Sequence, residues 1–390
     1  MHEAIRARPA AAHESPQRGE TAMGISDNRQ IPSLNGIRAL AAGVVFASHA
    51  FPTAPIPSSL GVTVFFFLSG FLITTLLRRE FAATRQISFK SFYLRRACRI
   101  LPPMLFMLLL TLALALLSEG AHSLHAVAVA AQFAQLSNYA LIAHGSAWLL
   151  PHTSVMWSLA VEEHFYLAYP LLLLWMARRC SMRRIARRLL LLCLVALAWR
   201  CMLATLLHAS DAHIYYASDA RFDSLLFGCI LGVWRNPVLD FAPAQRTAPG
   251  AAQMLLLAAA LLLLAAASAW RNPLFQLTLR YTLQGSALLP LFWLALRYPR
   301  WPLFAWLDWK PLNWLGVISY GFYLSHPLWL DLARGIAPGL AGAALGYGFT
   351  VAFSAALYRN LEKPLLALGH GYAARAHAAR ALQAGLKETA

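Results

Sequence analysis

Charge is scarce in this sequence. Only 13% of its 390 residues are Asp, Glu, Lys or Arg, about half of the ~25% usual in soluble domains. With 59% of the chain hydrophobic and a mean hydropathy of +0.54, a soluble fold could not cover its apolar surface at this length. Acids are scarcer still, 16 against 33 Lys and Arg. Cysteine is sparse: Cys98, Cys180, Cys193, Cys201 and Cys229 show no paired spacing. That argues against a disulfide framework or thiolate metal site and for small apolar fillers. His122, His125, His144 and His152 lack metal-ligand spacing, so no metal site is expected. No repeat with a period of about 20–50 residues is visible. The opening segment lacks the apolar run and cleavage motif of a signal peptide, and 1–30 is expected to be a disordered cytoplasmic tail.

What the chain has instead is apolar runs. A bilayer span needs ~20 mostly apolar residues. Runs of that kind fall at 35–53, 59–77, 101–118, 156–177, 189–208, 221–235, 252–269, 279–297, 313–332 and 338–359. The expected fold is therefore all-α, a polytopic membrane helix bundle of about ten transmembrane helices. Segment 124–143 is apolar but broken by Gln132, Gln135, Ser137 and Asn138. The net charge of +17 sits in short blocks, Arg78–Arg99 and Arg178–Arg188. This is the positive-inside pattern of cytoplasmic loops, and no nucleic-acid partner is expected. With both blocks inside, 101–118 and 156–177 supply the two crossings between them. Segment 124–143 is then a re-entrant or interfacial helix on the outer side, and parity puts both termini in the cytoplasm. A single membrane domain is expected over 31–365, with a cytoplasmic tail over 366–390.

Ionisable residues inside spans are costly and usually functional. Arg38 and His49 are eleven residues apart, ~1100° of helical rotation and ~16 Å of rise, so they share a face. Arg38 lies near the cytoplasmic end and His49 toward the outer leaflet. A pantetheine arm is of comparable length; a snorkelling arginine with a headgroup-zone histidine is the plainer explanation. In FYLRRACRILPP (Phe92–Pro103), Arg95 and Arg99 share a face with Arg96 beside them. These forks match phosphate oxygens, or simply anchor the loop. MWSLAVEEHFYLAYP (Met156–Pro170) carries Glu162 and Glu163 in an apolar run, with Tyr166 and Tyr169 on the Glu162 face. A buried carboxylate there can orient His49, partner an arginine or bind a sugar hydroxyl. RFDSLLFG (Arg221–Gly228) offers Arg221 and Asp223 as an ion pair that either organises an acceptor entrance or is structural. GVISYGFYLSHPLWL (Gly316–Leu330) puts Ser319, Tyr323 and His326 on one face, and Pro327 frees a carbonyl in the preceding turn. His326 is a candidate ligand or orienting group, or a satisfied core histidine. The Ser69-Gly70 pair allows close approach, by a cofactor arm or, more ordinarily, by another helix.

Taken in order, LNGIRALAA with Arg38 and His49, FFFLSGFLI, YLRRACRILP, WSLAVEEHFYLAYP, RFDSLLFG, ISYGFYLSHP and LYRNLEKP (Leu357–Pro364) carry a family resemblance. From about Ile31 to Pro364 the chain resembles the bacterial membrane-bound acyltransferase family three, the OafA/YrhL-like O-acyltransferases of surface polysaccharides. The resemblance implies a roughly ten-helix domain in the bacterial inner membrane. It implies acyl-CoA as cytoplasmic donor, acetyl-CoA first among candidates, with no permanently bound cofactor. The acceptor it implies is a hydroxyl of an extracytoplasmic polysaccharide, oligosaccharide or glycolipid. By motif, Arg38 and His49 are the family's paired residues, with His49 the base. Arg95, Arg96 and Arg99 match its arginine motif, and Glu162 and Glu163 its acidic pair, one of which would orient His49. The residue reading adds Ser69 on the donor side, and Arg221, Asp223, Tyr166, Tyr323 and His326 on the acceptor side. His164 stands where the family commonly has Gln, and Ser325 where Trp often precedes the last His; both departures bear on the acceptor. Two other classes stay open. One is a glycan or lipid transporter, for which inverted repeats and half-helices would speak, and none is evident. The other is a subunit passing acyl groups to a separate transferase. Homo-oligomerisation is also open.

Overall fold

The computed structural model describes residues 31–118, 124–241, 248–369 and 371. The expected tail at 1–30 lies outside these residues, as does most of the one at 366–390. All regular structure among the described residues is helical. In chain order the helices are α1 (Leu34–Ala50), α2 (Ser58–Thr84), α3 (Phe89–Ser118), α4 (Ala126–Phe133), α5 (Ser137–His144), α6 (Trp157–Ala177), α7 (Met182–Thr205) and α8 (Asp211–Tyr216). There follow α9 (Ser218–Val233), α10 (Ala251–Ala269), α11 (Pro273–Leu277), α12 (Leu279–Arg297), α13 (Pro302–Ala305), α14 (Lys310–Val317), α15 (Ser319–Ile336) and α16 (Gly339–Leu357). The last runs into a π-helical turn at Tyr358–Glu362.

Five helical stretches are long and apolar enough to cross a membrane: Ser59–Thr84, Phe89–Ser118, Met182–Thr205, Ala251–Ala269 and Gly339–Gly369. The chain is a multi-pass membrane helix bundle, but the expected ten spans are corrected to five among the described residues. The shortfall has a physical origin. Helices α1 and α9 run for only 17 and 16 residues. Helix α6 interrupts its apolar run with Glu162, Glu163 and His164, α12 with Arg280 and Gln284, and α15 with His326, Asp331 and Arg334. These helices turn polar groups inward: Arg221 and Asp223 on α9 and His326 on α15 are all buried.

Segment 124–143 is not one helix. Helices α4 and α5 are eight residues each, far short of a span, and the chain turns between them at Gln135, whose φ is +61°. The buried Gln132 ties α4 to the loop before α6, accepting from the Leu150 N–H at 3.0 Å and donating to the Thr153 hydroxyl at 2.5 Å.

Two glycine contacts set the frame around the site. Helix α2 crosses α9 so closely that a Cβ on Gly70 would lie 2.0 Å from the Leu225 carbonyl oxygen, and one on Gly228 1.9 Å from that of Phe67. Only residues without a Cβ allow backbones this close. Gly70 therefore serves helix packing, the more ordinary of the two expectations for it. The start of α1 is clasped similarly: a Cβ on Gly36 would meet the Leu307 oxygen at 2.2 Å, and one on Gly316 the Asn35 oxygen at 1.9 Å. Polar contacts hold the clasp, with the Ser33 N–H donating to Asp308 at 2.6 Å and Asn35 to Asn313 at 2.9 Å. Arg38 projects from the turn fixed in this way.

Candidate active site

Between α1, α2, α3, α6 and α15 lies a cavity of about 770 Å³, open solvent included. Arg38 enters it from α1, Ser69 from α2, Arg96 and Arg99 from α3, Glu162, Glu163 and Tyr166 from α6, and Tyr323 from α15. Helical spacing selects them: Arg96 and Arg99 are i, i+3, and Glu162 and Tyr166 are i, i+4. Arg95, expected to share the site with Arg99, is not among the lining residues. Its closest acid is Glu80 at 3.9 Å, whose other oxygen accepts from the Ser88 N–H at 2.7 Å.

No side chain among the described residues makes a hydrogen bond or ion pair to Arg38, Arg96 or Arg99. Arg96 lies over the Tyr166 ring at 4.9 Å. Glu162 is held from its own wall, accepting from Tyr166 at 2.7 Å and Ser69 at 3.3 Å, and those two hydroxyls also meet. One buried oxygen of Glu163 has no partner. Three guanidinium groups face two carboxylates, so the cavity carries an excess of positive charge in a low-dielectric wall. That arrangement attracts anions.

The other half of the site lies at the far end of α1. His49 Nδ1 and His326 Nε2 are 2.7 Å apart, and the two rings meet edge to edge, with centroids 5.0 Å apart and planes 15° apart. His326 Nδ1 donates to the Tyr323 carbonyl at 2.8 Å. That carbonyl would normally accept from residue 327, which is proline and has no N–H. Arg334 caps the end of α1, donating to the His49 and Ala50 carbonyls at 2.6 and 3.1 Å. His326 is 1% exposed, whereas His49 is exposed.

The imidazole partner of His49 is thus His326, not Glu162 or Glu163. Those carboxylates line the arginine cavity, which His49 does not line. The eleven-residue separation of Arg38 and His49 along α1 holds the two halves ~16 Å apart. Tyr323 joins them: it lines the cavity, its hydroxyl meets Ser158 at 2.8 Å and donates to the Val155 carbonyl at 3.0 Å, and its own carbonyl holds His326. Tyr166, expected on the acceptor side, sits among the arginines.

Arg221 and Asp223 do not pair. Asp223 accepts from Arg200 at 2.6 Å and Thr282 at 2.8 Å. Arg200 also donates to the carbonyls of Ala220 and Thr278. Arg221 lies 3.9 Å over the Tyr281 ring, with Trp157, Tyr215 and Phe66 around it. It donates to the Tyr215 carbonyl at 3.1 Å, while its Nε and Nη2 have no partner. All three side chains are 0% exposed, which does not fit an acceptor entrance. His164 reaches Ser218 at 2.6 Å, and Ser325 donates to the Gly321 carbonyl at 2.8 Å; neither lines the cavity.

Two further charged residues, Arg200 and Glu362, are buried. Arg200 lies inside an apolar run, where the rule that flags intramembrane charge applies to it as well. Glu362, on the π-helical turn, is 4% exposed with an unpartnered Oε1. It faces Gly321, where a Cβ would lie 3.1 Å away, and Arg99 acts on it electrostatically. Its only signal was an acid within the LYRNLEKP motif. Among the described residues no group of three His, Cys, Asp or Glu could hold a metal ion.

Residues 31–359 match the family model described as an acyltransferase domain. The peptidoglycan O-acetyltransferase OatA of Listeria monocytogenes is 28% identical over 86% of this chain and 56% of its own length. The O-acetyltransferase OatA of Staphylococcus aureus is 32% identical over 53% of this chain and 35% of its own length. The chain thus spans about half, or less, of the curated relatives it matches. No solved structure matches.

Proposed function

This chain belongs to the OafA/YrhL-like acyltransferase family, and from that premise we propose that it moves an acyl group, acetyl first among candidates, from acyl-CoA to a hydroxyl of an extracytoplasmic glycan or glycolipid. The observation that carries this reading is the cavity holding Arg38, Arg96 and Arg99 with no described side chain paired to them. Coenzyme A carries several phosphates, and arginine forks bind such oxygens bidentately. The names of the two relatives support acetyl as the group moved, and that of the Listeria relative supports a peptidoglycan-like glycan as the class of acceptor.

On this reading the phosphates rest among the arginines and the pantetheine arm runs along α1, which rises ~16 Å over the eleven positions from Arg38 to His49. His49 takes the acceptor hydroxyl proton as that oxygen attacks the thioester carbonyl. The C–S bond breaks, and the proton passes to the departing sulfur, giving the ester and free CoA. General-base catalysis supplies ~10²–10⁴-fold, and positioning within the bundle supplies much of the rest.

The test is acceptor-dependent CoA release by the purified protein in lipid nanodiscs, with acetyl-CoA and a peptidoglycan fragment or oligosaccharide. His49→Ala is expected to reduce turnover by at least about 10²-fold. Near-normal transfer by that variant, with donor and acceptor both present, would rule out this mechanism.

A further inference from the structure

We infer that His326 is the positioning residue that sets the tautomer of His49, so that His49 presents an unprotonated Nε2 outward. This rests on reading His49 as the base, and it follows from a chain of proton assignments that begins at a proline. Pro327 has no N–H, so the carbonyl of Tyr323, four residues earlier, loses its helical donor. A buried carbonyl still needs one, and His326 Nδ1 stands 2.8 Å away. A carbonyl oxygen only accepts, so Nδ1 of His326 carries the hydrogen. A neutral imidazole has one N–H, which leaves Nε2 of His326 as a lone pair. That lone pair is 2.7 Å from Nδ1 of His49, so His49 Nδ1 is the donor. The remaining nitrogen of His49, Nε2, is then bare.

The neutral pair is the state the surroundings favour. His326 is 1% exposed, and Phe46, Phe322 and Tyr323 stand around its ring. No carboxylate among the described residues bonds to either imidazole, and the nearby Arg334 guanidinium on the α1 end opposes further positive charge. A buried cation without a partner is costly. When the acceptor hydroxyl gives its proton to His49 Nε2, the charge that forms on His49 is shared through the Nδ1–H···Nε2 bond to His326. His326 itself neither gains nor loses a proton in the net reaction. Helix α15 thereby does for His49 what a carboxylate does elsewhere: it fixes the ring orientation and determines which nitrogen faces the substrate.

The experiment is ¹⁵N NMR of histidine-labelled protein in nanodiscs, with the His49 signals identified by their loss in His49→Ala. Wild type is expected to show a protonated Nδ1 and a bare Nε2 on His49. His326→Leu removes the acceptor. It should release His49 toward the Nε2–H form and lower kcat about 10²-fold, with the KM for acetyl-CoA unchanged. His326→Gln restores an acceptor oxygen near the position of Nε2 and should recover kcat to within about tenfold of wild type. An Nε2–H tautomer on His49 in the wild type, or an unchanged kcat in His326→Leu, would overturn the assignment. The two readings fail separately. Activity retained by His49→Ala defeats the base reading alone, whereas the spectrum decides the tautomer without reference to turnover.

Discussion

Arg99 and Arg95 are one helical turn apart on α3, yet the cavity takes in only one of them. Arg99→Ala should raise the KM for acyl-CoA by about tenfold or more, with Lys a poor substitute because it lacks the planar fork. Arg95→Ala, beside Glu80, should leave that KM nearly unchanged; titrating donor in the CoA-release assay separates the two. Asp223→Ala is a stability change of a different kind. It strands the buried Arg200 guanidinium, a loss of about 3–5 kcal/mol that thermal unfolding in detergent should register as a lower Tm. The identities of the site residues were legible in the sequence because charge inside an apolar run is conspicuous. Their partners were not. Arg221 and Asp223 are two positions apart, and residues so spaced do not face each other on a helix, so Asp223 turns to Arg200 on α7 instead. Likewise, helical spacing cannot say whether Arg95 or Arg96 accompanies Arg99; only the packing of α3 against α15 and the π-helical turn decides it.

The crossing of α2 and α9 depends on two glycines. Gly70→Ala places a methyl 2.0 Å from a carbonyl oxygen, so the helices must part, at a cost of about 1–3 kcal/mol or more. Gly43→Ala is the control: nothing lies within 4 Å of its Cβ position, and alanine favours helix by about 1 kcal/mol over glycine. Unfolding midpoints should therefore fall for the first and hold or rise for the second. The existence of most long helices could be read from apolar runs. The number of spans could not, because α6, α12 and α15 interrupt their apolar runs with polar residues. The broken segment at 124–143 showed its discontinuity in advance through Gln132 and Gln135. That it is two helices folded at Gln135, with Gln132 bonded to the next loop, required the contacts themselves.

Across the molecule, the arginine cavity and the histidine pair sit at opposite ends of one helix. That helix is clasped at its start by the α13–α14 segment and capped at its finish by Arg334. Neither end can slide relative to the other without breaking a backbone contact or a cap. Helix α1 is therefore a ruler, and the protein should judge donors by length as well as by chemistry. An acetyl thioester of N-acetylcysteamine carries the same reactive carbonyl but neither the reach nor the phosphates. It should turn over poorly, and Arg38→Ala should leave its rate almost unchanged while depressing that of acetyl-CoA. Equal sensitivity of both donors to Arg38→Ala would mean that distance along α1 is not what the protein measures.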